Sequence, residues 1–437
     1  FKEVLEKTVA FQEEKQLDFI LGRGWDQNDW ELQVFPNNEM LDVLFPETPV
    51  ALTRIDGHAM VANTKALALA GITSATKVAG GTVVLKDGKL TGLLIDTPMS
   101  LVYETVPKPT TETIKKTLKE AEQVCLSYGL TTLDDAGLSI EVITAIQELQ
   151  SAGELSLRVY AMISNTPAAL DYFLPKGIIK TDRLNVRSVK VYADGALGSR
   201  GAALRDPYSD DHNHFGAMIT DAPTLERLAS RIAAAGFQMN THAIGDSANT
   251  AVIRVYQKAL EGKNDKRWRT EHAQVLSATD FTHFSKNIIP SIQPTHATSD
   301  MYWAEDRVGE VRIKGAYAYK KLLQQSKMLA LGTDYPVEQV NPFLTFYAAV
   351  SRKDTSGYPD NGFLADQALS REEALRGMTI WAAYSNFEEK EKGSLEIGKA
   401  ADSILLDHDL MTVEVEKIPQ MKVRATYSNG ELVYAAK

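Results

Sequence analysis

The 437-residue chain is acidic, with 57 Asp and Glu against 47 Lys and Arg and a formal net charge of −10 at neutral pH. That balance repels a phosphate backbone, and no Lys/Arg stripe interleaved with aromatics offsets it, which argues against nucleic acid as a partner. No apolar run approaches the roughly 18 residues needed to cross a bilayer, so no membrane partner is expected. The one cysteine, Cys125, cannot close an internal disulfide and fits a reducing cytoplasm.

The chain opens FKEVLEKTVA, without an initiator Met or the apolar core of a signal peptide, and is expected to start partway through a longer gene product. Residues 21–105 carry the turn-forming GRGWDQNDW and the hairpin-like TVVLKDGKLTGLLID with Asp-Gly at its turn, and read as an inserted α+β region. Cys125 lies in the helical pattern KKTLKEAEQVCLSYG as a small core residue.

From residue 130 onward, short β-rich runs alternate with amphipathic segments of helical period. The runs are LTTLDD (130–135), LRVYAMI (157–163), VRSVKVYADG (186–195), FQMNTHA (237–243), WRTEHAQ (268–274), NIIPSIQPTH (287–296) and MLALGTDYP (328–336). A βα repeat of this kind predicts a parallel sheet, and ionisable residues at so many strand ends suit a (β/α)₈ TIM barrel over residues 106–390. Seven strands are counted where closure needs eight. The tail, 391–437, returns to β character in GSLEIGKAADSILLD and VRATYSNGELVYA and reads as part of a small β-sandwich.

The strand ends carry Lys190, His242, His272, His296 and Asp334. A lone strand-end histidine is ordinarily a hydrogen-bonded structural residue, but three on consecutive strands with a terminal Asp point to a metal site. Zinc and similar ions need imidazole nitrogen and carboxylate oxygen to converge, and barrel strand ends open on one face. Lys190 beside a dication is expected neutral, or carboxylated by CO₂ into an oxygen ligand; an ion pair with Asp194 is the bland alternative. Asp334, in LGTDYP, is placed to move a proton, the alternative being a turn cap before Pro336. His212-Asn213-His214 is the one HxH in the chain, but its polar flanks favour a solvated loop. His58 reads equally as a site residue and as a local hydrogen-bond partner, and His283 and His408 as surface residues. GxSxG, HExxH and CxxC are absent, so serine-esterase, zincin and thioredoxin readings lack their markers.

Together, ILGRGWDQNDW, PVALTRIDGHAMVANTKAL, GLTTLDDAG, VKVYADGALGSRGAAL, THAIGD, TEHAQ, SIQPTH, LGTDYPV and GSLEIGKAADSILLD resemble the metal-dependent amidohydrolase superfamily. Within it, they are similar to the amidohydrolase family 3 branch that includes N-substituted formamide deformylases. The resemblance spans essentially the whole chain. It implies a (β/α)₈ barrel beside a small β-sandwich built from both chain termini, with a long insertion after the first barrel strand. It also implies that Lys190, His242, His272 and Asp334 match the family's metal positions, for one or two divalent ions, zinc foremost.

The family's HxH pair ends the first barrel strand, upstream of anything in this chain. About 80–100 residues are therefore expected to precede Phe1, and residues 1–20 to be the remnant of the first βα unit. The expected function is hydrolysis of a non-peptide carbon–nitrogen bond, amide or formamide-like, by metal-activated water. Asp334 would shuttle the proton and His296 would help stabilise the oxyanion. Hydrolysis of an ester, lactone or phosphoester, a deamination, and a non-catalytic small-molecule-binding barrel remain the alternatives. A small-molecule substrate is the expected partner; homo-oligomerisation stays open. Trp25, Trp30, His58, Tyr302 and Trp303 are the residues expected to bear on specificity.

Overall fold

In the computed structural model, which describes residues 1–436, two compact units form. The first joins Phe1–Lys108 to Ala193–Asp221 and Trp303–Gly309; the second joins Pro109–Tyr192 to Ala222–Tyr302 and to the chain from Glu310 onward. The chain thus leaves the second unit twice and returns to it.

The first unit is built on a five-stranded sheet of β1 (Ile20–Trp25), β2 (Val50–Arg54), β3 (Ala59–Ala62), β4 (Gly81–Lys86) and β5 (Lys89–Asp96), ordered β1-β2-β3-β5-β4. Period-two alternation sends side chains to opposite faces, and here both faces are covered. Val50, Leu52, Ala59, Val61 and Leu93 pack on one side with Leu5 of the helix Lys2–Lys15, whereas Ala51, Met60, Ala62 and Leu94 pack on the other with Leu67 and Val102. β2 and β3 are buried along their whole length as a result. The Asp87-Gly88 turn has both residues at positive φ between Lys86 and Lys89, the two-residue hairpin geometry that Asp-Gly favours. GRGWDQNDW departs from its reading as a turn: its first four residues continue β1. Ladder pairing with β2 overrides the flexibility of Gly22 and Gly24.

In the second unit, β6 (Thr132–Leu138), β7 (Arg158–Ser164), β8 (Ile179–Lys180), β9 (Leu184–Tyr192), β10 (Gln238–Ala243), β11 (Trp268–His272), β12 (Ile288–Ile292) and β13 (Ala330–Leu331) share one sheet. All but β8 are parallel neighbours in chain order, from β6 at one edge to β13 at the other, with helices in the connections; β8 pairs antiparallel to β9. This is a TIM-like α/β arrangement whose seven parallel strands are the seven runs read from the sequence. Among the described residues the ladder is open, with no pairing between β6 and β13. Cys125 is buried with Leu126 and Leu157, and burial pushes its thiol up to about 11, so it is an inert core residue. The tail forms an antiparallel three-stranded sheet of β14 (Ser403–Leu406), β15 (Val423–Ser428) and β16 (Glu431–Ala435), turned at Asn429-Gly430. Among the described residues, no helix is long and apolar enough to cross a membrane.

Candidate metal centre

Parallel strands in register bring residues far apart in sequence to one end of the sheet. Lys190 and His242 lie inside β9 and β10, His272 is the last residue of β11, and Asn240 sits opposite both Lys190 and Arg269. His296 departs from its expected strand-end position. β12 stops at Ile292, and Pro294, pre-set for the first helical turn, starts the helix Pro294–Asp300 that carries His296. β13 is only two residues long, and Asp334 follows it in the loop.

His272, His296 and Asp334 converge, with one potential ligand atom from each lying within 4.8 Å of the other two. His242 stands beside them, its ring centroid 4.6 Å from that of His272, and Lys190 Nζ lies 4.8 Å from the centre of the Tyr192 ring. Lys190, His242, His272 and His296 are all buried. His272 and Asp334 hold positive φ, 71° and 57°, a conformation that non-glycine residues adopt at some cost.

The protons in this cluster are distributed unevenly. His272 Nδ1 lies 2.7 Å from Gln293 Oε1, an acceptor, so Nδ1 carries the hydrogen and Nε2 keeps its lone pair. Burial, reinforced by nearby Lys190 and His296, holds His272 down at about 4, so its imidazole is neutral at pH 7. His296 is the reverse case. Burial alone would lower it, but Asp334 Oδ2 at 3.4 Å from Nε2 and Glu338 Oε1 at 2.9 Å from Nδ1 raise it to about 10. For Asp334, burial is outweighed by His296, His272 and Lys190, which keep it well below the ordinary carboxylate range. The neutral imidazole of His272 and the carboxylate of Asp334, with the imidazole of His242 beside them, form a nitrogen and oxygen donor set that fits a divalent metal, and the protonated His296 faces the same point.

Three partners escaped sequence reasoning. Gln293 fixes the His272 tautomer and is itself held through its carbonyl by Tyr319 Oη at 3.0 Å. Glu338 binds both His296 and Ser299 Oγ, the latter at 2.7 Å. Asn249 Nδ2 lies 3.0–3.2 Å from the carbonyls of Ala243, Ile244, Gly245 and Val275, pinning the THAIGD turn to the helix Asp246–Ala259. Glu and Gln near a strand end have no spacing signature, so only THAIGDSAN, where Asn follows a strand-end His, held a usable hint. Three residues before His272, the buried Arg269 donates to Glu271 at 2.8 Å and to the exposed Asp134 at 2.6 Å, which ties β6 to β11.

The other histidines are not among these three converging donors. His58 Nδ1 is 2.7 Å from Asp96 Oδ1 in the first unit, where Asp56 and Asp194 also act on it. His212 is exposed; His214 Nε2 bonds the Arg200 carbonyl at 2.7 Å and its ring lies tilted against Tyr208, centroids 5.6 Å apart. His283 and His408 are at the surface. His212-Asn213-His214 thus lies in a loop, with His212 exposed and His214 half-buried.

The amidohydrolase family model matches residues 1–434. The chain belongs to the amidohydrolase family. Protein LONG AFTER FAR-RED 3 of Arabidopsis thaliana is 32% identical over 443 residues, covering 97% of this amidohydrolase and 75% of that protein. N-substituted formamide deformylase of Arthrobacter pascens is 23% identical over 422 residues, covering 91% and 76%. A crystal structure of a metal-dependent hydrolase from Pyrococcus horikoshii OT3 superposes with a TM-score of 0.74 at 28% identity, covering 94% of this chain and 81% of that one. The amidohydrolase is accordingly a hydrolase of the metal-dependent kind, acting on small molecules.

Proposed function

We propose that this amidohydrolase cleaves a non-peptide carbon–nitrogen bond of a small amide or formamide-like substrate. The observation that carries the reading is the unequal trio, a neutral His272, a protonated His296 and an ionised Asp334 around one point. His272, His242 and Asp334 would hold a divalent ion, zinc by the nitrogen and oxygen character of the donors, with Lys190 joining them once carboxylated. When bound, the ion supplies Lewis acidity to the carbonyl and lowers the pKa of water.

The chain's own groups do the rest. Asp334 Oδ2, ionised at neutral pH, accepts the proton of the attacking water and passes it to the departing nitrogen, which leaves as an amine. His296 Nε2–H faces the same point and donates a hydrogen bond to the carbonyl oxygen as its negative charge develops, while Glu338 holds the opposite ring nitrogen. Gln293 keeps His272 Nε2 available to a cation. The resemblance to a formamide deformylase supports an amide-type electrophile.

The test is turnover of a panel containing a formamide, an acetamide, a carboxylic ester and a lactone by metal-loaded protein, beside its metal content by mass spectrometry. Release of amine from the formamide or acetamide at a higher kcat/KM than alcohol from the ester is expected. Preference for ester or lactone would replace the substrate class, and absence of bound metal would overturn the mechanism.

A further inference from the structure

Among the described residues six arginines are buried, and five of them, Arg54, Arg158, Arg267, Arg269 and Arg307, each pair with at least one Asp or Glu. The sixth, Arg352, is the most completely enclosed, at 0% exposure, and neither its Nη1 nor its Nη2 has a hydrogen-bond partner. The rest of the residue is firmly held. Its backbone N–H closes the helix Pro342–Ser351 on the Ala348 carbonyl at 3.0 Å, and its Nε donates to the Phe363 carbonyl at 2.8 Å. The guanidinium lies 4.8 Å from the centre of the Tyr319 ring and 5.9 Å from that of Phe363.

Burial lowers Arg352, yet a guanidinium stays charged at neutral pH. Asp366, a carboxylate whose charge acts on it, is exposed and forms no ion pair with it. An enclosed charge without a counter-charge is costly, and a water molecule would satisfy the N–H groups but leave the charge uncompensated. A negative ion answers both needs. Its size is limited by the neighbouring donors: Tyr319 Oη donates to the Gln293 carbonyl at 3.0 Å and Tyr317 Oη to Asp300 at 2.7 Å, so neither hydroxyl is left to cradle a sulfate or phosphate. Two nitrogens with N–H groups to give and one positive charge match one compact monovalent anion.

We propose that Arg352 binds a chloride-sized anion at Nη1 and Nη2, neutralising the guanidinium that packs on the support of His272. The contacts run without a break: Arg352 covers the Tyr319 ring, Tyr319 Oη holds the Gln293 carbonyl, and Gln293 Oε1 accepts from His272 Nδ1 at 2.7 Å. The anion steadies this scaffold and takes no part in the reaction, so the site stands independently of which bond the enzyme cleaves.

The experiment melts the full chain in sodium chloride and in sodium gluconate at equal ionic strength, beside Arg352→Met. Gluconate is too bulky for an enclosed site, and Met keeps an apolar stem while removing the charge. The wild-type Tm is expected to be about 2–4 °C higher in chloride, as an ion that binds only the folded chain raises it, with no such difference in Arg352→Met. Equal shifts in both proteins, the result of chloride on the metal or of a general salt effect, overturn the site, as does no shift in the wild type. Replacing an unpaired buried charge by an apolar side chain is usually tolerated. Should Arg352→Met misfold, wild-type crystals grown in bromide decide: an anomalous-scattering peak touching both Nη atoms sustains the site, and its absence overturns it.

Discussion

Each unit sets a histidine against a carboxylate, His58 with Asp96 in the first and His296 with Asp334 in the second, and the two pairs have opposite surroundings. His58 is ringed by carboxylates, Asp56, Asp96 and Asp194, which outweigh its burial and raise it, so its contact sits within a packed network of acceptors. His296 has a neutral imidazole, His272, as a neighbour, and that lone pair turns an ion pair into a set of converging donors. A histidine–aspartate contact is therefore not by itself a metal site; a second imidazole kept neutral by burial and a fixed tautomer makes the difference.

The sharpest way to break this contrast is His272→Ala against His58→Ala. The first should abolish stoichiometric metal and lower kcat/KM on the order of 10³-fold, the several kcal/mol that a catalytic metal supplies. The second should leave metal content at the wild-type value, read by mass spectrometry. Arg54→Ala probes the first unit's network, where Arg54 bonds Asp56 at 2.6 Å as well as Asp26 and Gln27. Leaving two nearly buried carboxylates without their cation should cost about 3 kcal/mol in denaturant melts.

Glu338→Gln tests the clamp on His296 and should weaken metal binding or turnover by roughly 10- to 100-fold, with the fold unchanged by circular dichroism. Gly195→Ala would place a Cβ 2.4 Å from the Asp96 carboxylate and should destabilise by about 2 kcal/mol, since that loop approaches His58's partner too closely for a side chain. The smallest effect is pH-linked. Glu388, buried between Lys180 at 2.8 Å and Lys392 at 2.5 Å, is held below the ordinary glutamate range against the pull of burial. A depressed carboxylate adds stability above its unfolded pKa of about 4.3 that disappears as pH falls through the folded value. Glu388→Gln should thus cost about 1 kcal/mol at pH 6 and progressively less in acid.

The seven parallel strands were legible because apolar runs with Gly-terminated helical segments between them leave few other folds. The two tight hairpins were legible for a related reason, since Asp87-Gly88 and Asn429-Gly430 each supply two positive φ angles. The extended pattern NIIPSIQPTH predicts a strand end at His296, which lies instead on a helix because QPTH contains the helix-starting Pro294. Gln293 and Glu338 have no signature in the sequence, and Asn249 has only its place after a strand-end His. Their roles come from contacts across 4 to 42 residues, and single polar side chains carry no period to reveal that.

By itself, the sequence determined the βα order, the acidic surface, the strands that carry Lys190, His242 and His272, and the resemblance to amidohydrolases. All of these depend on local pattern and residue type. Only the tertiary structure decided that Ala193–Asp221 and Trp303–Gly309 cluster with Phe1–Lys108, that the converging trio is His272, His296 and Asp334, and which of the two imidazoles is protonated. Protonation follows from burial and from the carboxylates within a few ångströms, and those distances exist only once the strands are in register.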